Sequence, residues 1–262
     1  MADANPTFFW YELMTGDPEA AKQFYGEVVG WQTEDLGGAH AGYSLLKAGD
    51  QAVGGVMGLS GESCGTDARP GWFGYVRVAD VDAAVARLEG AGGHVLRAPD
   101  DIPEVGRFAV VADPGGAAFM LMTPQPQGDV PAPLPRMSRG NVGWHELYAE
   151  DGEAAFAFYR NQFGWREVST MDMGPMGTYR LWGPGGAADG EAIGGMMTRM
   201  PQMPQAVWNY YFVVDGIDAA AERIRAAGGE ITHGPMAVPD GSWIVSGVDP
   251  QGAHFSLVSE TK

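Results

Sequence analysis

An α+β fold assembled from four βαβββ units is what this 262-residue sequence predicts. Three observations carry the prediction. The chain repeats itself: WYELMTGDPEAAKQFYGEVVGW, from Trp10 to Trp31, returns as WHELYAEDGEAAFAFYRNQFGW, from Trp144 to Trp165. A second pair follows at almost the same offset, DVDAAVARLEGAGGHV from Asp80 against GIDAAAERIRAAGGEI from Gly216, and DPGGAAF from Asp113 against DPQGAHF from Asp249. Within each half, a strand pattern, a helix pattern and a run of short strands follow one another twice. Self-similarity at a fixed period marks an array of like units.

The elements follow in order. Thr7–Leu13 is apolar and aromatic, as a strand should be. Asp17 then supplies an N-cap with Pro18 at the first helical position, and Ala20, Ala21, Phe24 and Tyr25 keep helical spacing until Gly30. Strand-like runs come at Gly42–Leu46 and Ala52–Met57. The next unit opens with a strand at Trp72–Val78 and a helix at Val81–Glu89 that Gly92 and Gly93 stop. Strands at His94–Arg97, Arg107–Ala112 and Ala117–Thr123 complete it. The second half repeats the series. Five prolines between Pro124 and Pro135 make an extended joint, so the expected domains are residues 1–124 and 142–262, with a linker at 125–141.

Composition narrows the function. Against 33 acidic residues stand 16 basic ones, a net charge of −17, and no basic cluster interrupts it. Nucleic acid and anionic membrane surfaces are therefore excluded as partners. Three lysines, Lys22, Lys47 and Lys262, sit at a helix, a strand end and the terminus, which argues against Schiff-base chemistry. Cys64 is the single cysteine, so no intrachain disulfide forms, and its Gly-rich surroundings suit an ordinary loop thiol. The start lacks a basic-then-apolar leader and no apolar run approaches membrane-spanning length. A cytoplasmic protein, monomer or homodimer, is expected.

Four βαβββ units carrying WxEL…D…AA..FY…GW, GRFAVVADPGGA and DPQGA resemble the vicinal oxygen chelate superfamily of glyoxalase I, bleomycin-resistance proteins and extradiol dioxygenases. In particular, these motifs look like those of the bacterial two-domain glyoxalase-like proteins. The resemblance implies paired units whose sheets curl into half-open barrels, helices outside, around a small-molecule cavity. It also implies a divalent metal, with ligands on the first strand of each unit of a pair and on a final strand. Those positions hold Trp10, Phe73 and Met120 in one half and Trp144, Asn209 and Ser256 in the other. Such side chains make poor ligands for a hard or borderline cation, so no metal and no cofactor are expected. His145, Glu146 and His254 could rebuild a site only if neighbouring strand residues entered one cavity, which alternation forbids.

Two glutamates are then the candidate catalytic groups. Alternation puts Glu12 on the face of Trp10 and Glu146 on the face of Trp144, toward the cavity the resemblance implies. A carboxylate there is hydrogen-bonded, paired or protonated, and can serve as a general acid or base or simply brace the sheet. Arg107 is expected to pair with Glu12, to hold an anionic ligand or to sit as an ordinary surface arginine, and the first of these leaves Glu146 as the functional carboxylate. Trp72, Tyr75, Trp208 and Tyr210 join Met120 as aromatic or flexible lining. Trp10, Trp144, Asn209, His254 and Ser256 complete the expected ligand-binding set. The chemistry this suits is proton transfer beside a carbonyl. The alternatives are non-catalytic sequestration of an antibiotic or hydrophobic metabolite, and a metal-dependent glyoxalase or dioxygenase.

Overall fold

A computed structural model describes residues 6–59, 69–125, 134–185 and 190–262. Cys64 and most of the proline-rich joint lie outside the described residues. The first module runs β1 (Phe8–Thr15), α1 (Pro18–Val28), β2 (Gln32–Asp35), β3 (Tyr43–Ala48) and β4 (Gln51–Gly58). The second runs β5 (Gly71–Arg77), α2 (Val81–Gly90), β6 (His94–Ile102), β7 (Gly106–Ala112) and β8 (Ala118–Pro124). The third has β9 (Val142–Ala149), α3 (Gly152–Phe163), β10 (Arg166–Asp172), β11 (Thr178–Gly183) and β12 (Gly194–Thr198). The fourth has β13 (Val207–Val213), α4 (Ile217–Ala226), β14 (Glu230–Ala237), β15 (Trp243–Val248) and β16 (His254–Ser259).

Each half forms one eight-stranded sheet, β2-β3-β4-β1-β5-β8-β7-β6 and β10-β11-β12-β9-β13-β16-β15-β14. The first strand of every module pairs in parallel with its last, as β1 with β4 and β9 with β12, and the remaining pairs within a module are antiparallel. The sheets are open, not closed barrels, with helices on the outside, and the βαβββ expectation holds. A strand the pattern did not announce is β2, whose QTED is exposed throughout. It is an edge strand with no face to bury, so it carries no apolar period.

Local chemistry fixes the helix starts. Asp17 accepts from the Ala20 amide at 3.0 Å, and Asp80 from that of Ala83 at 2.9 Å. Asp151 accepts from the amides of Glu153 and Ala154. Each cap satisfies amides that the first turn leaves without partners. Gly164 ends α3 with φ 71°, a conformation glycine adopts without penalty.

The chain divides into two compact units, each drawing mostly on one module from either half. One unit comprises Gly74–Asp129 and His145–Trp208 with the chain up to Trp10, so it holds most of the second and third modules. In it Trp208 Nε1 donates to Tyr159 Oη at 2.9 Å, and Tyr159 Oη donates to Asp113 Oδ2 at 3.1 Å. Asp113 Oδ1 in turn accepts from the Ala117 amide at 2.9 Å. The other unit comprises Tyr11–Phe73, Val130–Trp144 and Asn209–Lys262, most of the first and fourth modules with the starts of β5 and β9. There Trp72 donates to Tyr25 at 2.9 Å and Tyr25 to Asp249 at 3.1 Å, while Asp249 Oδ1 takes the Gln251 and Ala253 amides. The repeated FY and DPxGA motifs are thus two ends of one buried hydrogen-bond relay.

Burial pushes the Asp113 carboxyl above its ordinary value of 3.8, against the Ala117 amide and the Tyr159 hydroxyl, which pull it down. A group whose proton affinity is raised in the folded state adds stability that is complete below the unfolded pKa and lost as pH rises through the folded one. Asp113 is therefore expected to favour the fold as pH falls toward 3.8. Calorimetric melting of wild type and Asp113→Asn across that range tests this: the variant should lack this acid-side contribution. Parallel curves for the two proteins would refute it.

Candidate functional site

Glu146 lies mid-strand in β9 and is 7% exposed. Its register partner on β12 is Gly195. From β11, on the far side of that glycine, Tyr179 reaches across and donates from Oη to Glu146 Oε1 at 2.9 Å. A Cβ on Gly195 would collide with the Tyr179 phenol. Only glycine leaves the lane over β12 open, so a tyrosine two strands away can orient the carboxylate. His145, the neighbouring residue, points to the opposite face. It is 5% exposed, its Nδ1 lies 2.8 Å from the Ile193 carbonyl oxygen, and its ring stacks on Phe8 at 5.0 Å.

The other unit repeats the arrangement. Glu12 on β1 is 4% exposed and its register partner on β4 is Gly55. A Cβ on Gly55 would collide with the Tyr43 phenol, which comes from β3. Tyr43, Tyr179, Gly55 and Gly195 are the residues sequence reasoning missed. The signal was present as a tyrosine and a Gly-Gly pair at equivalent places in both halves, Tyr43 with Gly54-Gly55 and Tyr179 with Gly194-Gly195.

Other expected residues go elsewhere. Arg107 departs from the Glu12 pairing and follows the surface reading. Its guanidinium donates to both Asp82 oxygens at 2.6 and 2.8 Å and to Asp101 at 3.0 Å, rather than pairing with Glu12. Strand register explains this, because Asp101 on β6 sits opposite Arg107 on β7 and α2 presents Asp82 beside it. Trp72 and Trp208 use their indole N–H groups in the two relays and are core. Tyr210, 1% exposed, packs edge-on against Tyr11 at 5.3 Å, and burial pushes the Tyr11 phenol well above its usual range, the neighbouring phenol adding to it. Tyr75 and Met120 are buried register partners across β5 and β8. His254 is exposed at the start of β16, and Trp10 and Trp144 are half-buried.

The metal positions of the resemblance can now be tested on their donors. Trp10, Phe73 and Met120 offer an indole, a phenyl and a buried thioether. Trp144 offers another indole, and Asn209 Nδ2 donates to Ser256 Oγ at 2.8 Å. These side chains do not fit a hard or borderline divalent cation. Among the described residues, no group of three His, Cys, Asp or Glu side chains is placed to hold a metal ion.

Comparison with known proteins gives the lineage of this arrangement. The glyoxalase/bleomycin resistance protein/dioxygenase superfamily model matches twice, at residues 7–121 and 141–257. CFP32 of Mycobacterium tuberculosis, which carries a glyoxylase name, is 34% identical over 251 residues, 95% of this chain and 93% of its own. The anthracycline biosynthesis protein DnrV of Streptomyces peucetius is 30% identical over 263 residues, 95% of this chain and 91% of its own. Among solved structures, the Mn(II)-bound glyoxalase from Novosphingobium aromaticivorans aligns with TM-score 0.64 at 18% identity, covering 98% of this chain and 83% of that one. The 2,2',3-trihydroxybiphenyl 1,2-dioxygenase of Sphingomonas wittichii aligns with TM-score 0.68 at 11% identity, covering 98% and 91%. At those identities the two structures speak for the fold alone. No helix among the described residues is long and apolar enough to cross a membrane.

Proposed function

The chain belongs to the glyoxalase/bleomycin resistance protein/dioxygenase superfamily, and from that premise we propose that it acts on a small carbonyl or aromatic metabolite by proton transfer at Glu146, without a resident metal. The observation that carries the reading is the Tyr179 hydrogen bond to Glu146 Oε1 across Gly195. It fixes a carboxylate in a largely apolar strand, the arrangement a general base needs. Glu146 would take a proton from carbon beside a carbonyl and return it to a neighbouring atom, an isomerisation that needs no oxidant; in an elimination the same proton removal would instead expel a leaving group from the adjacent carbon. Glu12, over Gly55, is the second carboxylate of this kind. The glyoxylase name of CFP32 supports a carbonyl substrate, and the anthracycline biosynthesis relative supports an aromatic one.

One observation favours a second reading, non-catalytic binding. The Glu–Gly pairing under a tyrosine occurs in both units, as a shared scaffold feature would. A thermal-shift screen of carbonyl and aromatic metabolites, followed by assay of each hit for turnover, separates the two. Hits that bind and are never converted leave the binder.

The absence of a working metal is tested separately. Elemental analysis after mild purification is expected to give far less than one manganese, iron or zinc per chain. A near-stoichiometric metal that is lost on Glu146→Gln or His254→Ala would overturn this.

A further inference from the structure

The fourth module holds a polar cluster that the Glu146 reading does not use. Asn209 on β13 donates from Nδ2 to Ser256 Oγ on β16 at 2.8 Å, and Ser246 Oγ on β15 stands 2.7 Å from the same oxygen. Strand register makes the cluster: Ser246 lies opposite Ser256, and Ser256 pairs with Tyr211, two residues beyond Asn209. Ser256 is fully buried, whereas Asn209 and Ser246 are half-buried. Beside them Trp144, Ile244 and Met137 pack on Tyr211, Val213 and Val258. Gly143 makes room for that packing, since a Cβ there would stand 3.0 Å from the Met137 sulfur.

The donors and acceptors can be counted. Ser256 Oγ accepts from Asn209 and bonds Ser246, so the buried member of the cluster is satisfied. Asn209 keeps its carboxamide oxygen and a second N–H, and Ser246 keeps part of its hydroxyl's capacity. The spare capacity therefore belongs to the two accessible members. All three side chains are uncharged, and an apolar, aromatic surface with a few convergent polar groups is what small-molecule sites are made of.

We infer that this cluster binds an uncharged oxygen function, a hydroxyl or a carbonyl, on an aromatic ligand whose ring lies against Trp144. Two of its members, Asn209 and Ser256, stand where the family resemblance would put metal ligands. The misfit with a metal is thus a change of chemistry: oxygen is recognised by hydrogen bonds in place of coordination. An anion is disfavoured, because it would be desolvated against neutral dipoles on a chain of net charge −17. The inference stands independently of Glu146.

The test titrates the full chain with three naphthalene probes followed by their own fluorescence: 2-naphthol, 2-naphthoate and unsubstituted naphthalene. Wild type should bind 2-naphthol about tenfold more tightly than naphthalene, the preference one net hydrogen bond supplies, and 2-naphthoate no better than naphthalene. Asn209→Ala and Ser246→Ala should each erase most of that preference, and Glu146→Gln should leave it intact. Should Asn209→Ala fail to fold, Ser246→Ala makes the same comparison, since the β15–β16 backbone ladder does not depend on its hydroxyl. Equal affinity of wild type for 2-naphthol and naphthalene overturns the inference, as does a preference that survives both variants. Equilibrium dialysis against Mn(II) supplies a second readout: one tightly held ion per chain, lost in Asn209→Ala, also overturns it.

Discussion

Glu146→Gln is expected to lower turnover by about 10²–10⁴-fold, the range a positioned general acid or base contributes, while ligand affinity stays within a few-fold. Glutamine keeps the side-chain length, and its amide oxygen can still accept the Tyr179 hydroxyl that now reaches Oε1 at 2.9 Å. What it cannot do is take a proton. A loss confined to kcat separates this role from ligand holding, which would raise KM instead. Gly195→Ala provides an independent route to the same site, because the new methyl displaces the Tyr179 phenol that holds the carboxylate. It should reduce kcat less than Glu146→Gln does. Full activity of Glu146→Gln on a substrate found by the thermal-shift screen would falsify the assignment.

The fold was legible because its information is local and repeated. Strand alternation, aspartate caps and glycine stops recur at matching places in the halves, so each copy corroborated the other. The glutamates' burial was legible too, since alternation ties Glu12 and Glu146 to apolar strands. Contacts between distant segments were not. Tyr179 lies 33 residues from Glu146, and only the order β11-β12-β9 brings them within reach. The partners of Arg107 were hidden for the same reason. Its neighbours are set by register with β6 and by the face α2 presents, neither of which one strand's pattern reveals. The tryptophans stayed open between two readings, because an indole suits a ligand platform and a core alike. The tyrosines that take the Trp72 and Trp208 N–H groups come from distant segments, which one strand's pattern does not reveal.

Those aromatic clusters predict the largest stability effect. Trp165 is fully buried, stacked on Trp182 at 3.9 Å and on Tyr159 at 5.2 Å, and its Nε1 donates to the Pro6 carbonyl oxygen at 2.6 Å. Truncation to alanine removes the ring from between two others and leaves the Pro6 carbonyl without that donor. The neighbours cannot collapse far, because Tyr159 is held by Trp208 and Asp113. Trp165→Ala should therefore destabilise by about 3–5 kcal/mol, a large share of a typical domain's stability. For a chain of this size that is a fall in Tm of roughly 10 °C. Trp165→Phe keeps most of the stacking and should lose appreciably less. Met176→Ala, at a side chain 47% exposed, should stay within about 0.5 kcal/mol of wild type. Denaturant unfolding of the three variants orders them, and a Trp165→Ala loss below about 1 kcal/mol would mean that the stack packs far more loosely than its 3.9 Å spacing indicates.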